Sequence, residues 1–274
     1  MIANARMYGV TAPARAAWRD LFDWLARSTG IPLEVIDHAY PAPLAELWSR
    51  RDLACAFICG FPLCRDFTRL KPVAAPIPAS PPSTGRALYA TALVVRADAP
   101  FASLADSFGH RIGFTTTDSH SGFNAVRHHL LPSWKSRRQA LYREAVGPLV
   151  TPRRVLEALL DGAIDVGPLD SYALELMLAD ESGLRETIRV LEMTEAAPIP
   201  CLAASAECDD EVIVRLRQGL IAASDDAVGA AILRRLALLG FAAVSRSDYG
   251  AIAAWDDEAR AADFMTPGDF ARAP

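Results

Sequence analysis

The strongest constraint on this fold is an alternation within the first sixty residues. Strand-like apolar runs at residues 3–10, 33–38 and 53–59 are separated by helical patterns at 14–28 and 43–50. In the first helical pattern Trp18, Leu21, Phe22 and Leu25 recur at i, i+3, i+4 and i+7, the stripe of an amphipathic helix, and Gly30 and Pro32 end it. Residues 53–59 are almost all apolar, as expected of a strand covered on both faces. A β-α-β-α-β order needs crossover connections, and these imply a parallel sheet with helices on both sides.

The chain has 274 residues, enough for two such α/β bodies. A proline-rich stretch, 71–82, interrupts the pattern before 86–96 resumes as one long strand, where the first passage between lobes is expected. Ser103-Leu-Ala-Asp106 has capping-box spacing ahead of a strand at 111–115, and a helix is expected within 117–131. Thr151 and Pro152 read as an N-cap and first helical residue, with Val155, Leu156, Leu159 and Leu160 on the buried face and Gly162 at the end. A strand at 163–167, a helix at 171–178 and a strand at 188–193 follow, and 196–201 leads back to the first lobe. Helices are expected at 209–223 and 227–239, with Val212, Ile213, Leu216 and Leu220 inward on the first and Gly240 stopping the second. The expected architecture is α/β with two lobes, each a mostly parallel sheet flanked by helices, and a ligand cleft between them. Lobe 1 comprises 1–92 plus 203–274, and lobe 2 comprises 93–202.

Composition narrows the function. Hydrophobic residues make up 51% and charged residues 22%, an ordinary globular balance. A net charge of −5 gives no reason to expect nucleic acid, and Ser136-Arg137-Arg138 reads as a solvated helix face. No apolar run reaches the ~18 residues of a membrane span. The N-terminal sequence lacks the apolar stretch of a secretory signal, which leaves two expectations: a periplasmic protein whose signal has been removed, or a cytoplasmic one. Cys55, Cys59, Cys64, Cys201 and Cys208 are odd in number and widely spaced, unlike a disulfide framework or zinc ribbon, and Cys55 and Cys59 read as buried thiols. No cofactor or metal is expected, no nucleophile–base motif such as Gly-x-Ser-x-Gly is present to suggest an enzyme, and a monomer is expected.

Three segments carry a resemblance: Ser103-Leu-Ala-Asp-Ser-Phe-Gly-His-Arg-Ile-Gly-Phe114, Asp118-Ser-His-Ser-Gly-Phe-Asn124 and Asp161-Gly-Ala-Ile-Asp-Val-Gly-Pro-Leu-Asp-Ser-Tyr172. Together they resemble the phosphate, phosphite and phosphonate substrate-binding proteins of ABC importers, the PhnD-like branch of type II periplasmic binding proteins. Pro198-Ile-Pro200 resembles that family's second lobe-to-lobe passage. The resemblance implies a hinged clamp that captures a small oxyanion and hands it to an ABC permease. His120 occupies the central position of the usual Ser-Thr-Ser-Gly loop, a departure from a plain phosphate or alkylphosphonate site.

Read from the residues themselves, Ser119, His120, Ser121 and Gly122 follow a strand and open a helix, so hydroxyls and backbone N–H groups can converge on an anion. Capping by Asp118 or Ser119 alone is the plainer alternative. His120 is either a ligand donor, pH-dependent if its pKa lies near neutrality, or a surface histidine. Asp170, followed by Tyr172, lies at a strand's carboxyl end and would select a ligand bearing a proton or an ammonium, although it can equally cap the next helix. Tyr8, Gly60 and Phe61 are candidates for the opposite wall, with core packing as the alternative for the aromatics. Asn124, Arg127 and His128 share the helix opened by the loop, and His128 and His129 read as surface residues. Two other functions remain in play: a cytosolic enzyme on the same fold, similar to menaquinone-pathway dehydratases, and a sensory binding protein.

Overall fold

The computed structural model describes residues 1–272 and begins with a short strand, β1 (Ile2–Asn4), parallel to both β2 (Glu34–Val35) and β3 (Leu53–Ile58). Every residue of β3 is buried, as its apolar run requires. Between β1 and β2, α1 (Ala12–Thr29) starts at Thr11, whose hydroxyl accepts from Ala14 N–H at 3.2 Å, and ends at Gly30 in the left-handed region at φ 67°. Its stripe buries Trp18, Leu21, Phe22 and Leu25, and the Trp18 ring meets Phe57 of β3 edge-on at 5.0 Å. Short helices α2 (Leu44–Trp48) and α3 (Gly60–Arg65) flank β3.

The proline-rich stretch is a strand rather than an interruption. β4 (Lys71–Pro78) keeps its pairing because the ladder shifts register beside the prolines, between Leu202 and Ala203 on one side and between Leu238 and Gly240 on the other. The long strand expected at 86–96 is two pieces, β5 (Leu88–Tyr89) and β6 (Thr91–Arg96), parted at Ala90. Here the chain leaves the first of two compact units and enters the second.

The second unit holds β7 (Arg111–Gly113), parallel to β8 (Glu144–Val146), and α4 (Ala125–Arg137), preceded by a wider turn of helix at His120–Asn124. α5 (Pro152–Leu160) is capped by Thr151 as its sequence predicts. The strand expected at 163–167 lies later, as β9 (Gly167–Asp170), and it pairs antiparallel with β6. α6 (Ser171–Asp180), α7 (Leu184–Thr187) and β10 (Ile188–Met193) follow, with β10 antiparallel on the other side of β6. The chain re-enters the first unit after Ala197, within β11 (Ala197–Pro198).

β12 (Cys201–Ala204), α8 (Asp210–Ala222), α9 (Ala227–Arg235) and β13 (Leu238–Ala242) complete the first unit, whose sheet runs β13-β4-β12-β3-β1-β2. Gly240 is therefore not a helix stop but an interior residue of β13. The first unit's sheet is mixed rather than mostly parallel, since β4, β12 and β13 run antiparallel to their partners, and the second unit has a wholly antiparallel β10-β6-β9 sheet and a separate parallel β7-β8 pair.

After Gly250 the chain returns to the second unit through α10 (Gly250–Ala261). The sequence-based boundaries placed 203–274 wholly in the first lobe. Apolar packing decides otherwise: Phe264 and Phe270 are fully buried in a core with Leu93, Ile112, Phe123, Leu130 and Trp134. Among the described residues no helix is long and apolar enough to cross a membrane.

Candidate functional site

In the second unit the antiparallel register sets Thr91, at the start of β6, opposite Asp170, at the end of β9. The Thr91 hydroxyl donates to the Ser121 carbonyl at 2.9 Å. One residue thus links the expected donor loop, 119–122, through its side chain, with the strand of the expected carboxylate, through its register, a connection that sequence spacing alone did not reveal. The loop is held close to β7 as well, since Thr115 N–H donates to Gly122 O at 3.2 Å. Gly122 is obligatory at this approach, because a Cβ there would lie 1.7 Å from Thr115 Oγ1.

Ser119 Oγ accepts from Gly122 N–H at 3.0 Å and its carbonyl accepts from Asn124 N–H, also at 3.0 Å, the i+5 pattern of a wide turn. Ser119 is therefore a cap, and its O–H remains a donor. The backbone N–H groups of His120 and Ser121 belong to a first turn, where no intrahelical acceptor precedes them. Asp170 is also a cap: its Oδ1 accepts from Tyr172 N–H at 2.9 Å and Ala173 N–H at 3.0 Å. Tyr172 is fully buried, and that burial pushes its phenol well above the ordinary range, so it stays neutral.

His120 is not a surface residue. Its ring is buried and stacks on Trp255 of α10 at 5.3 Å, and the other neighbour of that indole is His128 at 4.6 Å. Burial, and secondarily the charge of His128, lowers the His120 pKa to about 3, far from the neutral range in which a pH switch would work. His128 and His129 are partly buried and face carboxylates, Glu258 at 3.2 Å and Glu192 at 2.8 Å. Behind the loop, Arg127 and Asp256 form a fully buried ion pair, and Asp256 also accepts from Arg260 at 2.7 Å. Desolvation pushes the Asp256 carboxyl up, but the bonds from Arg260 and Arg127 outweigh it and hold the group below its usual value. Trp255, Asp256, Thr91 and Thr115 escaped sequence reasoning.

In the first unit β1 and β3 are parallel neighbours, so the residues following them emerge at one sheet edge. Tyr8 and Phe61 follow these strands and both are buried, Tyr8 against Phe57 with ring centroids 4.8 Å apart. Gly60 opens α3. A separate concave patch of this unit gathers Arg69, Lys71, Arg217 and Arg246. Structural bonds occupy three of these cations: Lys71 reaches Cys208 O and Asp210, Arg217 reaches Pro72 O and Val73 O, and Arg246 reaches Leu63 O and Leu70 O. The cysteines are free thiols, and burial pushes Cys201 up to about 12, which leaves it inert. No cluster suited to a metal ion occurs among the described residues.

This combination of two discontinuous mixed α/β units and a donor-rich helix start defines a solute-binding protein of the type II periplasmic class. The chain belongs to the family described as ABC transporter, phosphonate, periplasmic substrate-binding protein, which matches residues 11–249. That is a binding family rather than a catalytic one, and it implies a small-molecule ligand and an ABC permease partner. A binding-protein component of an ABC phosphonate transporter from Pseudomonas aeruginosa has the same fold, with a TM-score of 0.77 and 14% identity over 98% of this chain and 95% of that one. PhnD1 from Prochlorococcus marinus, in complex with methylphosphonate, gives 0.76 and 13% over 97% and 98%. A Xanthomonas citri protein bound to chloride ion gives 0.68 and 18% over 95% and 99%. No curated protein matches the chain.

Proposed function

We propose that this protein captures a small oxyanion, phosphonate- or phosphate-like, by closure of its two lobes, and delivers it as a periplasmic monomer to an ABC permease. The observation that carries the reading is the Thr91 bond to Ser121 O, which sets a donor loop and the Asp170 carboxylate at one edge of the second unit. Donors at a helix start favour anionic oxygens, and a carboxylate beside them favours a ligand that also bears a proton or an ammonium. Ser119, His120, Ser121, Gly122, Asp170 and Tyr172 are the proposed ligand residues of this unit, with Tyr8, Gly60 and Phe61 proposed for the other.

Calorimetric titration with phosphate, phosphite, methylphosphonate and 2-aminoethylphosphonate tests the reading. At least one should bind, and Ser119→Ala combined with Ser121→Ala should weaken it by about 1–3 kcal/mol, the range for bonds to a charged partner. Wild-type affinity in the double variant would reject the site, and silence across all four compounds would reject the ligand class.

A further inference from the structure

The two ends of the Asn124 amide can be told apart by their neighbours. Oδ1 lies 2.7 Å from the Arg127 guanidinium, which can only donate, and Nδ2 lies 3.1 Å from the Ile252 carbonyl, which can only accept. Turning the amide over would break both bonds, so its orientation is fixed by chemistry. The atom 3.2 Å from His120 Nδ1 is therefore an NH2 group. It donates, so Nδ1 keeps its lone pair, and a neutral imidazole with a lone pair on Nδ1 carries its proton on Nε2.

The chain of contacts continues away from the loop. Arg127 is held by Asp256, by the Met265 carbonyl at 3.2 Å and by the Phe123 ring, whose centroid lies 5.1 Å from the guanidinium carbon. Replacing such a buried ion pair by apolar side chains is often neutral for stability, so a positional role is the more economical account of its presence. We propose that Asn124, held by Arg127 and Asp256, is a positioning residue that locks His120 in its Nε2–H tautomer, so that the loop presents a histidine that donates and does not accept.

The inference rests on the proposed ligand role of the 119–122 loop. It deepens that role by assigning specificity: His120 favours an unprotonated ligand oxygen and leaves Asp170 to accept any proton the ligand bears. A second proton on Nδ1 would oppose the Asn124 NH2, so the lock also resists the cationic ring. Of the charged or titratable groups on the surrounding elements, Arg127 and His128 of α4 and Asp256 and Arg260 of α10 join this network of contacts, and Asp170 lies on β9. Asp256 is engaged by both arginines. Burial, which penalises the cation, acts in the same direction as the lock.

Two-bond 15N–1H correlation spectra of the full chain read the tautomer of each of the five histidines, and His120→Phe, which removes one set of signals, assigns the ring. At pH 7 the wild-type His120 should show a bare Nδ1 and a protonated Nε2. In Asn124→Asp the carboxylate can still accept from Arg127 but now accepts from the ring too, so Nδ1 should become protonated. A wild-type ring protonated on Nδ1 overturns the proposal, as does an unchanged tautomer in Asn124→Asp. Should Asn124→Asp fail to fold, the wild-type spectrum alone decides. Binding is measured separately with methylphosphonate and inorganic phosphate, for which His120→Phe should lose about 10- to 150-fold in affinity. If neither probe binds the wild type and phosphite and 2-aminoethylphosphonate are silent as well, the proposed ligand class fails while the tautomer lock is still judged by its spectrum.

Discussion

Substituting Gly122 by alanine tests how tightly the donor loop is pressed against β7. The new Cβ would lie 1.7 Å from Thr115 Oγ1 and 2.7 Å from both Thr115 Cβ and Cγ2. Rotating the threonine side chain moves Oγ1 and Cγ2 but leaves its Cβ in place. A contact near 2.7 Å must then open to about 3.5–4.0 Å by backbone movement. Overpacking of this kind costs about 1–3 kcal/mol. The same displacement lengthens the 3.2 Å bond from Thr115 N–H to Gly122 O, at about 1 kcal/mol more. Gly122→Ala should thus destabilise the loop by about 2–4 kcal/mol. Thr115→Gly removes all three clashing atoms, so the double variant should recover about 2 kcal/mol relative to additive behaviour. Native-state hydrogen exchange across residues 111–131 measures the local opening free energy in wild type, both single variants and the double variant. Additivity within about 0.5 kcal/mol would refute the close approach of loop and strand.

Two further outcomes follow from the same region. The Thr115 hydroxyl is buried without a hydrogen-bond partner among the described residues, so Thr115→Val should leave stability unchanged or raise it by up to about 1 kcal/mol in urea unfolding. A loss of more than that would show that the hydroxyl is bonded. His120 is held neutral in the fold with a pKa of about 3, whereas the unfolded chain titrates near 6.5, so between these values the unfolded state binds the extra proton. Its contribution to stability is present above pH 6.5 and is lost as pH falls toward 3, with a slope of up to about 1.4 kcal/mol per pH unit. His120→Phe should flatten the acid-side fall of unfolding free energy by about that slope between pH 6 and pH 4, and superimposable slopes would show that the ring titrates alike in both states.

What could be read from the sequence was local. The α1 stripe, the apolar β3 run, the Thr151-Pro152 helix start and the capping potential of Ser119 and Asp170 all depend on residues within a few positions of one another, and the structure bears each of them out. The misread elements are those decided by distant partners. β4 looks like a loop because prolines weaken a strand pattern, and only its register shifts against β12 and β13 make the ladder possible. Gly240 looks like a stop until Leu238–Ala242 is seen paired with that proline-bearing strand. Asp256 and Trp255 carry no local signal because the groups that give them a role, Arg127 and His120, lie far away in sequence. The spacing Thr266-Pro-Gly-Asp269 did carry a usable signal, since it forms a capping box that brings Phe270 into the core.

The return of the chain to the second unit after Gly250 has a consequence for biosynthesis. At a ribosomal rate of about 5–20 residues per second, the stretch between the first departure at Tyr89 and the last crossing at Gly250 takes on the order of 8–32 seconds to appear. For most of that interval the nascent first unit lacks β12, the strand that joins β3 to β4, which appears only with Cys201–Ala204. The second unit waits longer still, because Phe264 and Phe270 are made only after Gly250. The first body cannot close its core before most of the second has been made, so for part of synthesis the nascent chain carries two open apolar surfaces at once and depends on whatever shields them.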